Sequence, residues 1–146
     1  MQTRTKHELI VIAISVTLVL AVMIFFGIVQ AKMGRFVFNV SIISEIASGT
    51  EEYRKAYGAP PDTLDNRELV KILCRGANPE KKIFLPSHPG SSIFDRMLNP
   101  SHDAFIDIWD HELRFLPGID GKITVWSAGP NGIFEDRPGS DDIRSR

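Results

Sequence analysis

The chain has one cysteine, Cys74, so no internal disulfide can form and an exported body must be held together in another way. It has no charge of one sign to spare: 17 Lys and Arg stand against 18 Asp and Glu, a formal net charge of −1. With no dense basic patch either, a nucleic-acid partner is disfavoured. There is no Gly-rich phosphate loop, no His-Glu-x-x-His helix, and no Ser or Cys in a nucleophile elbow. The sequence therefore supports no enzymatic activity. Internal repeats and low-complexity blocks are absent as well.

One long stretch lacks charge altogether. Leu9 to Val29 reads LIVIAISVTLVLAVMIFFGIV. At about 1.5 Å per residue it makes a helix of roughly 30 Å, the thickness of a bilayer's hydrocarbon core. Its polar side chains, Ser15 and Thr17, can each bond a carbonyl one turn back. A soluble core helix is rarely apolar on every side for so long. A secretory signal has an apolar core of about 7–15 residues, so a retained anchor is favoured over cleavage after Ala31. No other segment is long enough to span. Arg4 and Lys6 before the span nearly balance Lys32 and Arg35 after it, and the count tilts only slightly towards an inside N-terminus.

The helical pattern continues past the span. Val29, Met33, Phe36, Val40, Ile43, Ala47, Thr50, Tyr53 and Tyr57 follow at steps of three or four, one stripe on a helix from near Lys6 to Tyr57. Gly34 and Gly49 are candidate bends, Gly58 is a C-cap, and Pro60-Pro61 forbids continuation. The distal stripe suits packing on the protein's own body, while its start, at the membrane, suits neighbouring copies.

The expected organisation is a short head or degenerate leader over 1–8, a transmembrane helix over 9–29, its continuation over 30–57, and a small globular domain over 58–146. In that domain Asp62 or Thr63 can cap a short helix, Asn66 to Arg75, with Cys74 on or beside its apolar face as a core residue. Lys81 to Leu85 reads as a short extended run, Pro86 to Ser92 as a loop, and Ile93 to Leu98 as ambiguous. Leu113–Leu116 and Lys122–Ser127 read as strands of a hairpin, and Gly129 to Arg146 as an irregular tail.

Two clusters carry possible chemistry. His102, Asp103, Asp107, Asp110, His111 and Glu112 crowd together, but two His nine apart match no usual zinc spacing, so a solvated polar loop is expected. In the tail, Asn131 sits in Gly129-Pro130-Asn131-Gly132 and is followed by Ser140-Asp141-Asp142. Calcium wants six to eight oxygens, and a glycine-bent turn with Asn131 facing Asp141 and Asp142 can offer several. An ordinary β-turn followed by a solvated acidic end is the alternative.

Together these stretches resemble the major pseudopilins of type II secretion systems. Glu8-Leu9-Ile10-Val11-Ile12-Ala13 resembles the glutamate and apolar start of a prepilin-type helix. Tyr53-Arg54-Lys55-Ala56-Tyr57-Gly58-Ala59-Pro60 is similar to the family's helix end. Asp107 to Phe115 resembles its Asp-Pro-Trp-Gly-Asn-Pro-Tyr-x-Tyr segment. Val125 to Gly132, with Asp141-Asp142-Ile143, resembles its Val-x-Ser-x-Gly-x-Asp-Gly…Asp-Asp-Ile loop.

The resemblance implies an α+β, type IV pilin-like fold: a long N-terminal helix packed on a small domain with a three-stranded antiparallel sheet and a calcium loop. It implies an inner-membrane, single-pass protein with a periplasmic domain. Such a protein self-associates through its helices into a filament, with other pseudopilins and secretion-system inner-membrane proteins as partners. Calcium would be held by Asn131, Asp141 and Asp142, by the Ala128 carbonyl, and by Ser140 as a further donor. Glu8 would meet the amino terminus of a neighbouring subunit during assembly, with local neutralisation by Lys6 as the alternative. The match has departures. Thr3 and Arg4 stand where the family has Gly and an apolar residue, Lys6 and His7 replace apolar residues, and Asn131 replaces an aspartate. Prepilin-peptidase cleavage is therefore not implied. A membrane-anchored scaffold or binding domain of the same fold, never polymerising, is the second functional class.

Overall fold

A computed structural model of the chain describes residues 2–85 and 96–145, with side chains from Glu8 onward. The loop expected over 86–92, the first half of the ambiguous 93–98 stretch, and the Lys6 side chain that was to neutralise Glu8 lie outside the described residues. The elements are α1 (Gln2–Tyr57), α2 (Asn66–Cys74), β1 (Arg114–Pro117), β2 (Ile123–Ser127) and β3 (Ile143–Arg144). They divide into two compact units, Met1–Val37 and Phe38–Arg146.

The first unit consists of α1 residues alone. Every large apolar side chain from Leu9 to Ile28 is more than half exposed, so this stretch is not the core helix of a soluble body. Among the described residues α1 is the one helix long and apolar enough to cross a membrane. The two hydroxyls of the Leu9–Val29 stretch bond back to the helix: Ser15 donates to the Val11 carbonyl and Thr17 to the Ala13 carbonyl, each at 2.9 Å.

The second unit begins at Phe38, earlier than the Gly58 boundary expected from sequence, because the last turns of α1 are part of its core. Ile42, Ile43 and Ile46 of α1 are buried with Leu69, Val70, Leu73 and Cys74 of α2, with Met97 and Phe105, and with Phe115, Ile123, Val125 and Ile143 of the sheet. The buried face of α1 is centred on Asn39, Ile42, Ile46 and Gly49, a step off the expected stripe. Of that stripe, Ile43 and Thr50 are buried, Ala47, Tyr53 and Tyr57 are half-buried, and Val40 is exposed. Gly49 is no bend. The helix runs through it, and a Cβ there would lie 2.6 Å from Leu85 Cγ, so the glycine is the socket for Leu85. Gly58 closes the helix with a positive φ, and its N–H donates to the Arg54 carbonyl.

The cap of α2 is Asp65, whose carboxylate accepts from the Glu68 N–H at 3.0 Å. Thr63 instead accepts from the Asp65 N–H. The expected extended run at Lys81–Leu85 is not a strand. Lys81 is left-handed, and the Phe84 and Leu85 N–H groups both donate to the Leu73 carbonyl, so this segment wraps the end of α2. Its Phe84 ring meets those of Tyr53 and Tyr57 at 5.4 and 6.0 Å.

The sheet has order β1-β2-β3 and is antiparallel throughout. Phe115 opposes Val125 and Ser127 opposes Ile143, so alternate residues of the hairpin face the core. The tail that read as irregular therefore contains a short strand. It is two residues long, too brief to carry an alternating signal.

Candidate functional site: the loop between β2 and β3

The loop starts where β2 ends. Ala128 is helical, Gly129 has φ 66° and Gly132 has φ 70°, which fold Gly129–Asn131 into one tight turn. Both glycines also make room. A Cβ on Gly129 would run into the Asp141 carbonyl oxygen, and one on Gly132 would lie 2.9 Å from His111 Nε2.

The turn places Asn131 directly against Asp141. The Asn131 side-chain amide donates to Asp141 Oδ1 at 2.8 Å, and its backbone N–H to Oδ2 at 3.2 Å. Asn131 Oδ1 accepts from the Ile133 N–H at 2.7 Å. Asp142 faces the sheet, with Oδ2 accepting from Trp126 Nε1–H at 2.8 Å and from the Glu135 N–H at 2.7 Å. Asp142 Oδ1 is buried and has no hydrogen-bond partner. Ser140 and Ala128 flank these residues in sequence; Ser140 is half-buried and Ala128 is fully buried. The Glu135 carboxylate is engaged by Arg137 at 2.7 Å.

The loop is clamped to the sheet by stacked rings and guanidinium groups. Arg114 lies 3.9 Å from the centre of the Phe134 ring, Phe134 meets Trp126 edge-on at 5.0 Å, and Arg144 lies 4.1 Å from Trp126. Arg144 also reaches Asp136 at 2.8 Å. Each cation–ring contact contributes about 0.5–1 kcal/mol at exposed sites. These contacts hold the loop against the sheet.

An oxygen-seeking cation fits this donor set in part. Asp142 Oδ1 is a buried acceptor lacking a donor, an arrangement that costs about 1–3 kcal/mol unless something meets it. Asp141 offers a carboxylate whose donors come from Asn131. Asn131 Oδ1 accepts one hydrogen bond, from the Ile133 N–H, and keeps a second lone pair. Among the described residues no three His, Cys, Asp or Glu side chains are grouped to hold a metal. An ion here would lean on the two aspartates and on backbone or hydroxyl oxygens.

The 102–112 cluster is largely the solvated polar loop expected, with His102, Asp110 and Glu112 exposed. Asp107 is the correction, at 1% exposed. Asp107 Oδ1 accepts from the Trp109 and His111 N–H groups, each at 2.9 Å, and Oδ2 accepts from the Ser127 hydroxyl at 2.7 Å. His111 Nδ1 lies 3.0 Å from the Gly129 carbonyl and 3.6 Å from Asp107 Oδ2. With both its oxygens engaged, Asp107 is a structural acceptor and not an open ligand. Asn39 was missed by sequence reasoning. It is fully buried, donates to Ser127 Oγ at 3.0 Å, and accepts from the Ile108 N–H at 3.2 Å. A lone polar residue among Val37, Phe38 and Val40 is the one signal that could have found it.

Cys74 is buried, as expected, and desolvation pushes its thiol up to about 12 against a small opposing effect of Arg75. Glu8 is exposed on α1. No protein-family model matches the chain, and no curated protein matches it.

Proposed function

We propose that this chain is a structural subunit of a type II secretion pseudopilus. It is anchored by α1 in the inner membrane, with its C-terminal unit in the periplasm, and assembles through that helix to help drive protein export. The observation that carries this reading is the apolar stripe on α1 at the end of the span. Val29, Met33 and Phe36 are 38%, 64% and 51% exposed, next to Lys32 and Arg35. Val29 ends the span and Met33 and Phe36 continue its apolar face past two cations, a stripe that suits a neighbouring helix. The pilin-like layout supports the same reading: a long helix, an antiparallel three-stranded sheet, and a β2–β3 loop with an unmet carboxylate oxygen. In this reading the loop takes calcium through Asp142 and Asp141, with Ala128, Ser140 and Asn131 around them, and the ion supplies structural order.

The test is crosslinking in membranes. Phe36→Cys chains, with the buried Cys74 changed to Ala, are expected to give covalent dimers on oxidation, and a second cysteine at Val29 is expected to extend them into a ladder. Mass spectrometry of the natural N-terminus separates the two functional classes, a trimmed, N-methylated start supporting the pseudopilin. Chains that stay monomeric with an untrimmed start would replace this reading with the anchored scaffold, which the charges of Arg4 and Lys6 favour.

A further inference from the structure

Four polar side chains, from α1, β2 and the 107–111 segment, are linked in a chain through the second unit. It begins on α1 at Asn39 and passes to Ser127 at the end of β2 and to Asp107, whose Oδ1 accepts from the His111 backbone N–H; the His111 ring then meets the Gly129 carbonyl. Asn39 and Ser127 are fully buried and Asp107 is nearly so.

Ser127 is the hub. Its one proton goes to Asp107 Oδ2, and its oxygen accepts from Asn39 Nδ2 at 3.0 Å and from the Gly129 N–H at 3.1 Å. His111 closes the far end. Its Nδ1 faces the Gly129 carbonyl, and the ring edge at Nε2 occupies the space a side chain on Gly132 would need. Asn39 closes the near end by also accepting from the Ile108 N–H, which ties α1 to the segment that carries Asp107.

Each member is held at two points or more, and none has water to fall back on except His111, which is about one-third exposed. Loss of one link therefore leaves the next group buried without its partner, at a cost larger than that of the bond itself. Hydrogen bonds in such a chain also strengthen one another. We infer that this chain couples α1 to the Gly129–Gly132 turn, so that opening of the turn loosens the hold of the unit on α1 and release of α1 loosens the turn. Whatever acts on the loop, an ion or a neighbouring chain, is then felt at the helix. The inference rests on these contacts and stands whichever functional reading holds.

The test uses the full chain in detergent micelles and reads backbone hydrogen exchange by mass spectrometry. His111 is the first position to vary because it is partly exposed and its loss leaves the apolar core intact. His111→Ala is expected to accelerate exchange about tenfold, the equivalent of one lost buried hydrogen bond, in the turn and equally over residues 39–46 of α1. His111→Gln keeps a donor for the Gly129 carbonyl and is expected to restore both. Asn39→Ala is expected to accelerate the turn in return, and the double variant to fall short of the sum of the two. Leu73→Ala, a core truncation outside the chain, separates coupling from general loss of stability, which would raise exchange evenly across the unit. Acceleration by His111→Ala confined to the turn would overturn the inference. So would additive effects in the double variant.

Discussion

Trp126 Nε1–H donates to Asp142 Oδ2 at 2.8 Å, so a residue of β2 fixes one oxygen of the loop carboxylate and leaves the other buried and unmet. This half-satisfied carboxylate is the strongest physical support for a cation in the loop. If calcium meets this oxygen, the full chain in micelles should melt several degrees higher with calcium than with chelator. Binding to the folded state alone adds about 2.7 kcal/mol at a hundredfold excess over Kd. Asp142→Ala should erase the difference, and magnesium should substitute poorly because it demands regular octahedral geometry. An unchanged melting point for the wild-type chain would remove calcium from the loop.

Asn131→Asp should change sign with the ion. In chelator it loses the amide donor to Asp141 Oδ1 and sets two carboxylates side by side, so the melting point should fall. With calcium the added ligand charge should tighten binding and raise it above wild type. A fall under both conditions would mean that the Asn131–Asp141 pair is purely structural.

Cys74 should react slowly with thiol reagents in the folded chain. Its thiol is raised from 9.0 to about 12 by burial, so the folded form stays protonated where the unfolded form ionises. The stability this contributes is complete below about pH 9 and is lost as pH rises towards 12. Cys74→Ala should flatten that part of the stability profile relative to wild type. Rapid labelling with a covalent dimer would contradict the assignment.

Glu8→Ala should leave membrane insertion and the melting of the second unit unchanged while abolishing crosslinking along α1. A carboxylate beside the apolar run is costly unless a partner meets it, and an assembled neighbour is the partner expected here. Equal crosslinking in the variant would detach Glu8 from assembly.

Gly49→Ala should destabilise despite a helix-propensity gain of about 1 kcal/mol. The new methyl would meet Leu85 Cγ at 2.6 Å, and overpacking of this kind costs about 1–3 kcal/mol. Denaturation of Gly49→Ala, of Leu85→Ala and of the pair should reveal strong non-additivity, the pair being less damaged than the sum.

The long helix was legible because its signal is carried by composition and period over many residues, and the hairpin because alternation and a glycine loop coincide at 113–127. The two-residue β3 was hidden, since Ile143 and Arg144 hold their place through pairing with Trp126 and Ser127 and not through any local preference. The direction of the buried face of α1 was misread by a step, because Asn39 and Gly49 look polar or neutral in a hydrophobic stripe but are buried by specific partners. Asp107 read as solvated for the same reason. Nothing in a row of acidic and His residues says which carboxylate a distant serine will meet. In the loop, the contact between Asn131 and Asp141 follows the expected proximity. The capture of Asp142 by the Trp126 indole does not follow from spacing.

Asn39 and Ser127 are 88 residues apart, and Ile143, which completes the cover over the helix, comes later still. The helix is thus made long before the groups that shelter Ile42, Ile43 and Ile46. Such distant closures are slow, and an uncovered apolar face invites aggregation while they are pending. During synthesis the chain passes through a period in which its best-formed element is also its most adhesive one. Until the last strand arrives, the apolar face of α1 is the part of the nascent chain most open to aggregation.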